Sequence, residues 1–183
     1  MKTWVAWLRG VNVGKAGAGR RAVPMAALRE VAADLGWQDA QTYLQSGNLV
    51  FRARGGSAAL ATALEGAIGA RWGFCVPVVV TPALALAPLL EACPFGDVAD
   101  DRPQLVHVGF TAAAVSPEVV DVLRPYCTAG ERVAVQGGAL WSDFANGVGR
   151  SKLTPAVLDR AVGAPVTSRN LKTLRAVCEI ASR

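Results

Sequence analysis

The strongest constraint on the fold is the order of structural elements that the first 82 residues predict. Apolar, β-branched and aromatic runs predict four strands, at residues 3–9, 41–45, 49–53 and 75–80. Apolar residues at helical spacing predict two helices, at residues 24–36 and 57–72. The resulting order, β-α-β-β-α-β, is the ferredoxin-like arrangement, in which two helices cover one face of a four-stranded antiparallel sheet.

The remaining residues predict a second half with similar elements. Strands are expected at 105–111, 132–135 and 139–143, and helices at 81–91, 117–126 and 154–163. A final helix is expected to begin near Thr167 or Ser168. The sequence therefore predicts an α+β chain with a ferredoxin-like subdomain at 1–82. A second α+β subdomain at 83–183 is expected to end in two basic helices.

Composition narrows the class of protein. Apolar residues make up 52% of the 183 residues and charged residues 18%, which is typical of a globular chain. No apolar run approaches the ~18 residues that span a bilayer, and the start lacks a signal peptide, so we expect a cytoplasmic protein without a membrane partner. The four dispersed cysteines, without a Cys-x-x-Cys motif, are expected to be reduced and mostly buried.

The sequence contains no motif typical of a metal site or a cofactor site. The only histidine, His107, lies between two valines and is expected to be a strand residue, which disfavours a His-based metal site. The segment Gly10–Lys15 has the wrong spacing for a phosphate loop, and Gly14-x-x-Gly17-x-Gly19 is not the dinucleotide fingerprint. Ser168-Arg169-Asn170 fits a Ser-x-Asn element, but the accompanying Ser-x-x-Lys motif is absent from the sequence. We expect no cofactor and no metal, and whether the protein is an enzyme stays open.

Charge is unevenly distributed along the chain. Residues 1–54 carry eight basic and three acidic residues, and residues 150–183 carry seven and two. The middle, residues 55–149, carries four basic and nine acidic residues. Either the two basic ends form a site for an anion, or the pattern reflects solvated faces and packing of the ends onto the middle.

Polar motifs that follow strands or precede predicted helices supply the candidate site. The candidate ligand-binding residues are Arg9, Asn12, Lys15, Gln45, Ser46, Asn48, Arg150, Ser151, Lys152, Arg169 and Asn170. Cations are unfavourable at helix N-termini, which instead bind anions, so basic residues beside two predicted helix starts suggest a bound phosphate or carboxylate. The leading hypothesis is a small anionic ligand, held by arginine and lysine and oriented by the three asparagines.

Two other functions remain open. The basic ends could bind nucleic acid, although the third strand offers only Phe51 for base stacking, which makes this the less favoured hypothesis. Alternatively, the polar motifs could serve turns and packing, a common role of Asn and Gly. The oligomeric state is not predicted.

Three segments together resemble one known family. They are Leu8–Gly14, Tyr43–Phe51, and Gly149–Thr154 together with Thr167–Thr173. As a set they resemble the bacterial DUF1697 family of uncharacterised proteins, along the whole chain. The resemblance implies a two-part α+β protein with a ferredoxin-like N-terminal half, and it implies no activity. The chain departs from the family pattern by a longer loop after Gly14, rich in glycine and arginine, and by Leu171 in place of an aromatic residue.

Overall fold

The structure, a computed structural model, describes residues 1–13 and 22–183. Contacts divide the chain into two compact units, one of Met1–Ala85 with Ala176–Arg183 and one of Leu86–Arg175. Lys15 and the glycine motif 14–19 lie outside the described residues. The subdomain boundary after residue 82 stays a prediction.

The first unit contains the element order expected from the sequence. Its elements are β1 (Lys2–Leu8), α1 (Met25–Asp34), β2 (Gln38–Tyr43), β3 (Asn48–Ala53), α2 (Ser57–Trp72) and β4 (Val78–Pro82). The strands form one antiparallel sheet in the order β2-β3-β1-β4. Because β1 and β3 pair at its centre, the ends of both strands are fixed by neighbours on either side.

One face of this sheet forms the core with the two helices. Trp4 and Leu8 lie on one face of β1 and belong, with Leu28 of α1 and Leu64 of α2, to one cluster of buried side chains. Trp37 adds a parallel stack on Phe51, with ring centroids 4.0 Å apart. Residues of β1 that face the other way, including Val5, are equally buried.

The second unit repeats this topology. Its elements are α3 (Leu86–Glu91), α4 (Gly96–Ala99), β5 (Val106–Phe110), α5 (Val119–Leu123), β6 (Arg132–Gln136), β7 (Ala139–Asp143), α6 (Pro155–Val162) and β8 (Thr167–Asn170). The last helix, α7 (Leu171–Ala181), extends across the division between the units. From β5 to β8 the order is again β-α-β-β-α-β, and the antiparallel sheet order β6-β7-β5-β8 matches that of the first unit position by position. A separate core, which includes Leu123, Leu140 and Leu158, lies against this sheet.

The α+β class is thereby confirmed, and one element was wrongly predicted. The final helix begins at Leu171, and residues 167–170 form β8, paired antiparallel with β5. The two last helices are present, but a strand separates them. Thr154 and Gly163 bound α6 as expected: the Thr154 hydroxyl accepts a hydrogen bond from the Val157 N–H, and Gly163 ends the helix with φ +75°.

Two expectations about composition can also be compared with the structure. All four cysteines are free thiols, but Cys75 is exposed and the other three are only partly buried, so the prediction that they are mostly buried was wrong. Among the described residues, none of the helices has the length and apolar character needed to cross a bilayer.

Candidate functional site

The first loop and the β2–β3 turn are joined by the side chain of Asn12. Its Nδ2 donates to the carbonyl oxygens of Gln45, at 2.7 Å, and Val23, at 2.8 Å, while its Oδ1 accepts from the Val23 N–H at 2.9 Å. Both amide hydrogens are therefore used within the protein. Asn12 has φ +55°, a left-handed conformation that asparagine tolerates better than most residues. The Asn12 side chain thus holds the loop in place.

Asn48 has a similar role within the β2–β3 turn. It is fully buried, and its Nδ2 donates to the Tyr43 carbonyl oxygen at 2.8 Å and to the Ser46 hydroxyl at 3.1 Å. The carbonyl of Gly47 accepts from the Leu8 N–H at 2.8 Å, which joins the turn to the end of β1. These bonds close the turn and leave no amide hydrogen of Asn48 for a ligand.

The other candidates of the first unit lie around this junction. Arg9 follows β1 directly and is half-buried, with its backbone N–H bonded to the Pro77 carbonyl. The Gln45 side chain is exposed, and Ser46 is partly buried. The structure therefore brings Arg9, Asn12 and the turn close together. Lys15 lies outside the described residues.

In the second unit, Arg150, Ser151 and Lys152 form a turn directly before α6, which we call the basic turn. Arg150 ends a short 3₁₀ segment, and both it and Lys152 are exposed. The Ser151 hydroxyl accepts from the Leu153 N–H at 3.1 Å, which fixes the backbone between the two cations. Two positive side chains consequently project from one short, ordered segment.

A buried carboxylate that the sequence did not indicate lies beside this turn. Glu131 is only 8% exposed, and its Oε2 accepts from the Ala129 N–H at 2.7 Å. The neighbouring Ser151 hydroxyl is the main influence lowering the pKa of Glu131, burial opposes it, and the charge of Lys152 contributes further. Glu131 is therefore ionised at neutral pH and offsets part of the positive charge of Lys152.

Arg169 and Asn170 differ most from their predicted setting. Arg169 lies in β8 rather than at a helix start, is 8% exposed, and donates to the Thr167 hydroxyl at 3.0 Å and the Ser168 carbonyl at 2.9 Å. Burial lowers the pKa of Arg169 to about 10, which leaves it protonated at neutral pH. Asn170 caps α7, since its Oδ1 accepts from the Thr173 N–H at 2.8 Å. Both side chains thus form hydrogen bonds to residues close to them along the chain.

A charged network in the second unit was also missed. Asp143, at the end of β7, is fully buried, and its Oδ2 lies 2.8 Å from Arg102 and 2.9 Å from Arg132. Arg132 also pairs with Asp97 and lies over the Phe95 ring, and this pairing lowers the pKa of Asp97. The network joins the α4 segment to β6 and β7. The sequence contained one indication that Asp143 is buried. Asp143 is two residues from Trp141, so the two side chains lie on the same face of the strand.

The remaining titratable groups of the described residues include the single histidine of the chain. His107 lies in β5, as predicted, and its Nε2–H donates to the Gln104 carbonyl at 3.2 Å. Within residues 1–13 and 22–183, no three His, Cys, Asp or Glu side chains are placed to hold a metal ion.

Comparison with known proteins gives the family and the fold. The family model described as "Protein of unknown function (DUF1697)" matches residues 1–141. The chain belongs to the DUF1697 family. The family resemblance is thereby confirmed. The match includes the first two polar segments and ends before the basic turn. This DUF1697 chain has no match among curated proteins.

A solved structure supports the fold of this DUF1697 member along its whole length. The conserved bacterial protein SP0830 from Streptococcus pneumoniae superposes with a TM-score of 0.73, covering 98% of each chain at 20% sequence identity. At this identity the likeness concerns the fold alone.

Proposed function

We propose that this DUF1697 protein binds a small anionic ligand, carrying a phosphate or carboxylate group, at the basic turn. The observation that supports this most directly is the exposure of Arg150 and Lys152 on either side of Ser151. Arginine and lysine donate charge-assisted hydrogen bonds to anionic oxygens, and these bonds are stronger than neutral ones. We do not assign a reaction.

The two cations are not equivalent in this proposal. Lys152 lies near the buried Glu131 carboxylate, whereas Arg150 forms no ion pair with any residue that the structure describes. Arg150 is therefore expected to contribute more to the affinity than Lys152. The α6 N-terminus contributes little, since Thr154 already caps it and Pro155 has no N–H to donate.

The proposed ligand-binding residues are fewer than the sequence suggested. Asn12 and Asn48 use their amide hydrogens on backbone and side-chain acceptors, so we assign them to the loop and the turn instead of the ligand. Arg169 is too enclosed to be offered as a surface contact. Arg9, Lys15, Gln45 and Ser46 stay predictions for the first unit, and a site shared with the basic turn stays a hypothesis.

Nucleic acid is the weaker alternative. Phe51, the one aromatic residue of β3, is fully buried and stacks on Trp37, so it is not available to a base. Base stacking on strand aromatics is how related sheet folds read single-stranded RNA.

The test is a titration with inorganic phosphate, pyrophosphate and a panel of phosphorylated metabolites, followed by thermal shift and calorimetry. The double variant Arg150→Gln/Lys152→Gln is expected to weaken binding at least about 10-fold, which corresponds to roughly 1.4 kcal/mol. The matched control is Arg54→Gln/Arg160→Gln, which removes the same charge from two exposed positions elsewhere. Equal losses in both double variants, or no binding by the wild type, would contradict the proposal.

A further inference from the structure

A cavity that the proposed anion site does not involve lies in the first unit. It is a groove of about 690 Å³ over β1, β2 and β3, bordered on its far side by residues 180–183. Thr3 and Arg52 are cross-strand partners that line it. Since the next residues along each strand, Trp4 and Phe51, pack in the core with α1 and α2, the groove lies on the opposite face of the sheet. Its volume is in the range that holds a small molecule.

The edge strand beside this groove is distorted at Asp39. The pairing register of β2 with β3 shifts between Gln38 and Gln41, so one extra residue is inserted there. Asp39 has φ +53°, which is uncommon for a residue other than glycine. Bulges of this kind redirect a side chain and are frequent beside active sites. Here the Asp39 carboxylate lies in the groove wall, 3.2 Å from Arg52.

The Asp39–Arg52 pair is weakly held. The two side chains are 62% and 50% exposed, and a single contact, from Arg52 Nη1 to Asp39 Oδ2, joins them. Exposed ion pairs of this kind contribute little to stability, so a ligand that satisfies both charges can replace the contact. Neutral hydrogen-bonding groups are nearby, from Thr3, Gln41 and Ser182, and the Arg183 side chain also borders the groove.

We propose that this groove binds a zwitterionic small molecule of the α-amino acid class. The ligand ammonium group lies against the Asp39 carboxylate, and the ligand carboxylate accepts paired hydrogen bonds from the Arg52 guanidinium. Thr3, Gln41 and Ser182 hydrogen-bond its polar side chain. This site is separate from the basic turn and does not depend on the anion proposal.

The test uses the twenty protein L-amino acids as probes, in thermal shift and then calorimetry on the full chain. At least one amino acid is expected to bind at millimolar concentration or below, and its N-acetyl and carboxamide derivatives are expected to bind at least 10-fold more weakly. Each derivative removes one of the two charges that the groove recognises. If no amino acid binds, or if the derivatives bind as well as the parent, the proposal is wrong.

Variants of the two charged groove residues test whether the amino acid binds in the groove. Asp39→Asn and Arg52→Gln are each expected to weaken binding at least 10-fold, and asparagine tolerates the left-handed backbone at position 39. The matched controls, Asp34→Asn and Arg54→Gln, change exposed charges that do not line the groove and are expected to leave affinity within two-fold. Unchanged binding by both groove variants would overturn the assignment. The variant Arg150→Gln/Lys152→Gln is expected to bind the amino acid normally, so the two proposals can fail independently.

Discussion

At the scale of single residues, the asparagines of the first unit's polar motifs stabilise loops and turns through their amide hydrogen bonds. Asn12 supplies two donors and one acceptor to backbone groups that a loop would otherwise leave unpaired. Inside the turn, Asn48 donates to the Tyr43 backbone carbonyl and to the Ser46 hydroxyl. An unpaired buried backbone group costs free energy comparable to a lost hydrogen bond, which explains why an amide occupies these places.

Gly47 illustrates how close the packing at this junction is. A Cβ at Gly47 would lie 2.6 Å from the Leu8 Cβ and 2.7 Å from the Val11 Cγ2. We expect Gly47→Ala to lower the free energy of unfolding by about 1–3 kcal/mol more than Gly36→Ala, through overpacking. Gly36 has nearly the same φ, +74° against +75°, but nothing within 4 Å of its Cβ position. Urea denaturation of the two variants measures the difference, and equal losses would show that the contact relaxes at little cost.

At the scale of elements, the last helix begins at Leu171, three or four residues later than the sequence pattern suggested. Ser168 and Asn170 are both favoured helix-capping residues, and only tertiary pairing distinguishes them. Because β5 pairs with residues 167–170, these residues are extended, and the helix begins where the pairing ends. Burial alternates along β8, as expected for a strand with one enclosed face.

This assignment predicts a difference between two alanine variants. Asn170→Ala is expected to lower the free energy of unfolding by about 1 kcal/mol, since it removes the cap of α7. Ser168→Ala is expected to change it by less than about 0.5 kcal/mol, because residue 168 lies within β8 and does not occupy the cap position of α7. Thermal or chemical denaturation of both variants checks this. A larger loss at Ser168 would place the helix start where the sequence pattern suggested it.

At the scale of the whole molecule, two units of the same strand order carry separate cores. Each is a β-α-β-β-α-β arrangement with its first and third strands at the centre of the sheet. In both units a turn glycine carbonyl accepts a backbone hydrogen bond from the region where the first strand ends: Gly47 from Leu8, the last residue of β1, and Gly138 from Val115, which follows β5. The same strand order and a backbone hydrogen bond to a turn glycine therefore occur in both units, although the side chains differ.

The pKa shift of His107 makes the stability of the chain depend on pH between about pH 5 and 7. Burial lowers the pKa of His107, the only histidine, and its bond to the Gln104 carbonyl opposes this. Below about pH 6.5 the unfolded chain binds a proton that the folded chain binds only at lower pH, so the free energy of unfolding falls as pH decreases. Denaturation at pH 7, 6 and 5 is expected to show this fall, and His107→Gln is expected to reduce it. An identical pH profile in the variant would assign the dependence to other groups.

The sequence by itself determined the type and order of most elements, the α+β class and the family. These follow from local signals, such as the continuous apolar run of β1 and the Thr154 and Gly163 boundaries of α6, which need no knowledge of distant residues.

Only the tertiary structure decided what those polar residues do. The burial of Glu131 and Asp143, the strand at Arg169 and the bulge at Asp39 all depend on contacts with residues far along the chain. A sequence pattern records which face of an element is apolar, but it does not record which partner reaches a given side chain. Hydrogen bonds and burial at these positions are consequently properties of the folded chain, since they depend on distances that folding alone establishes.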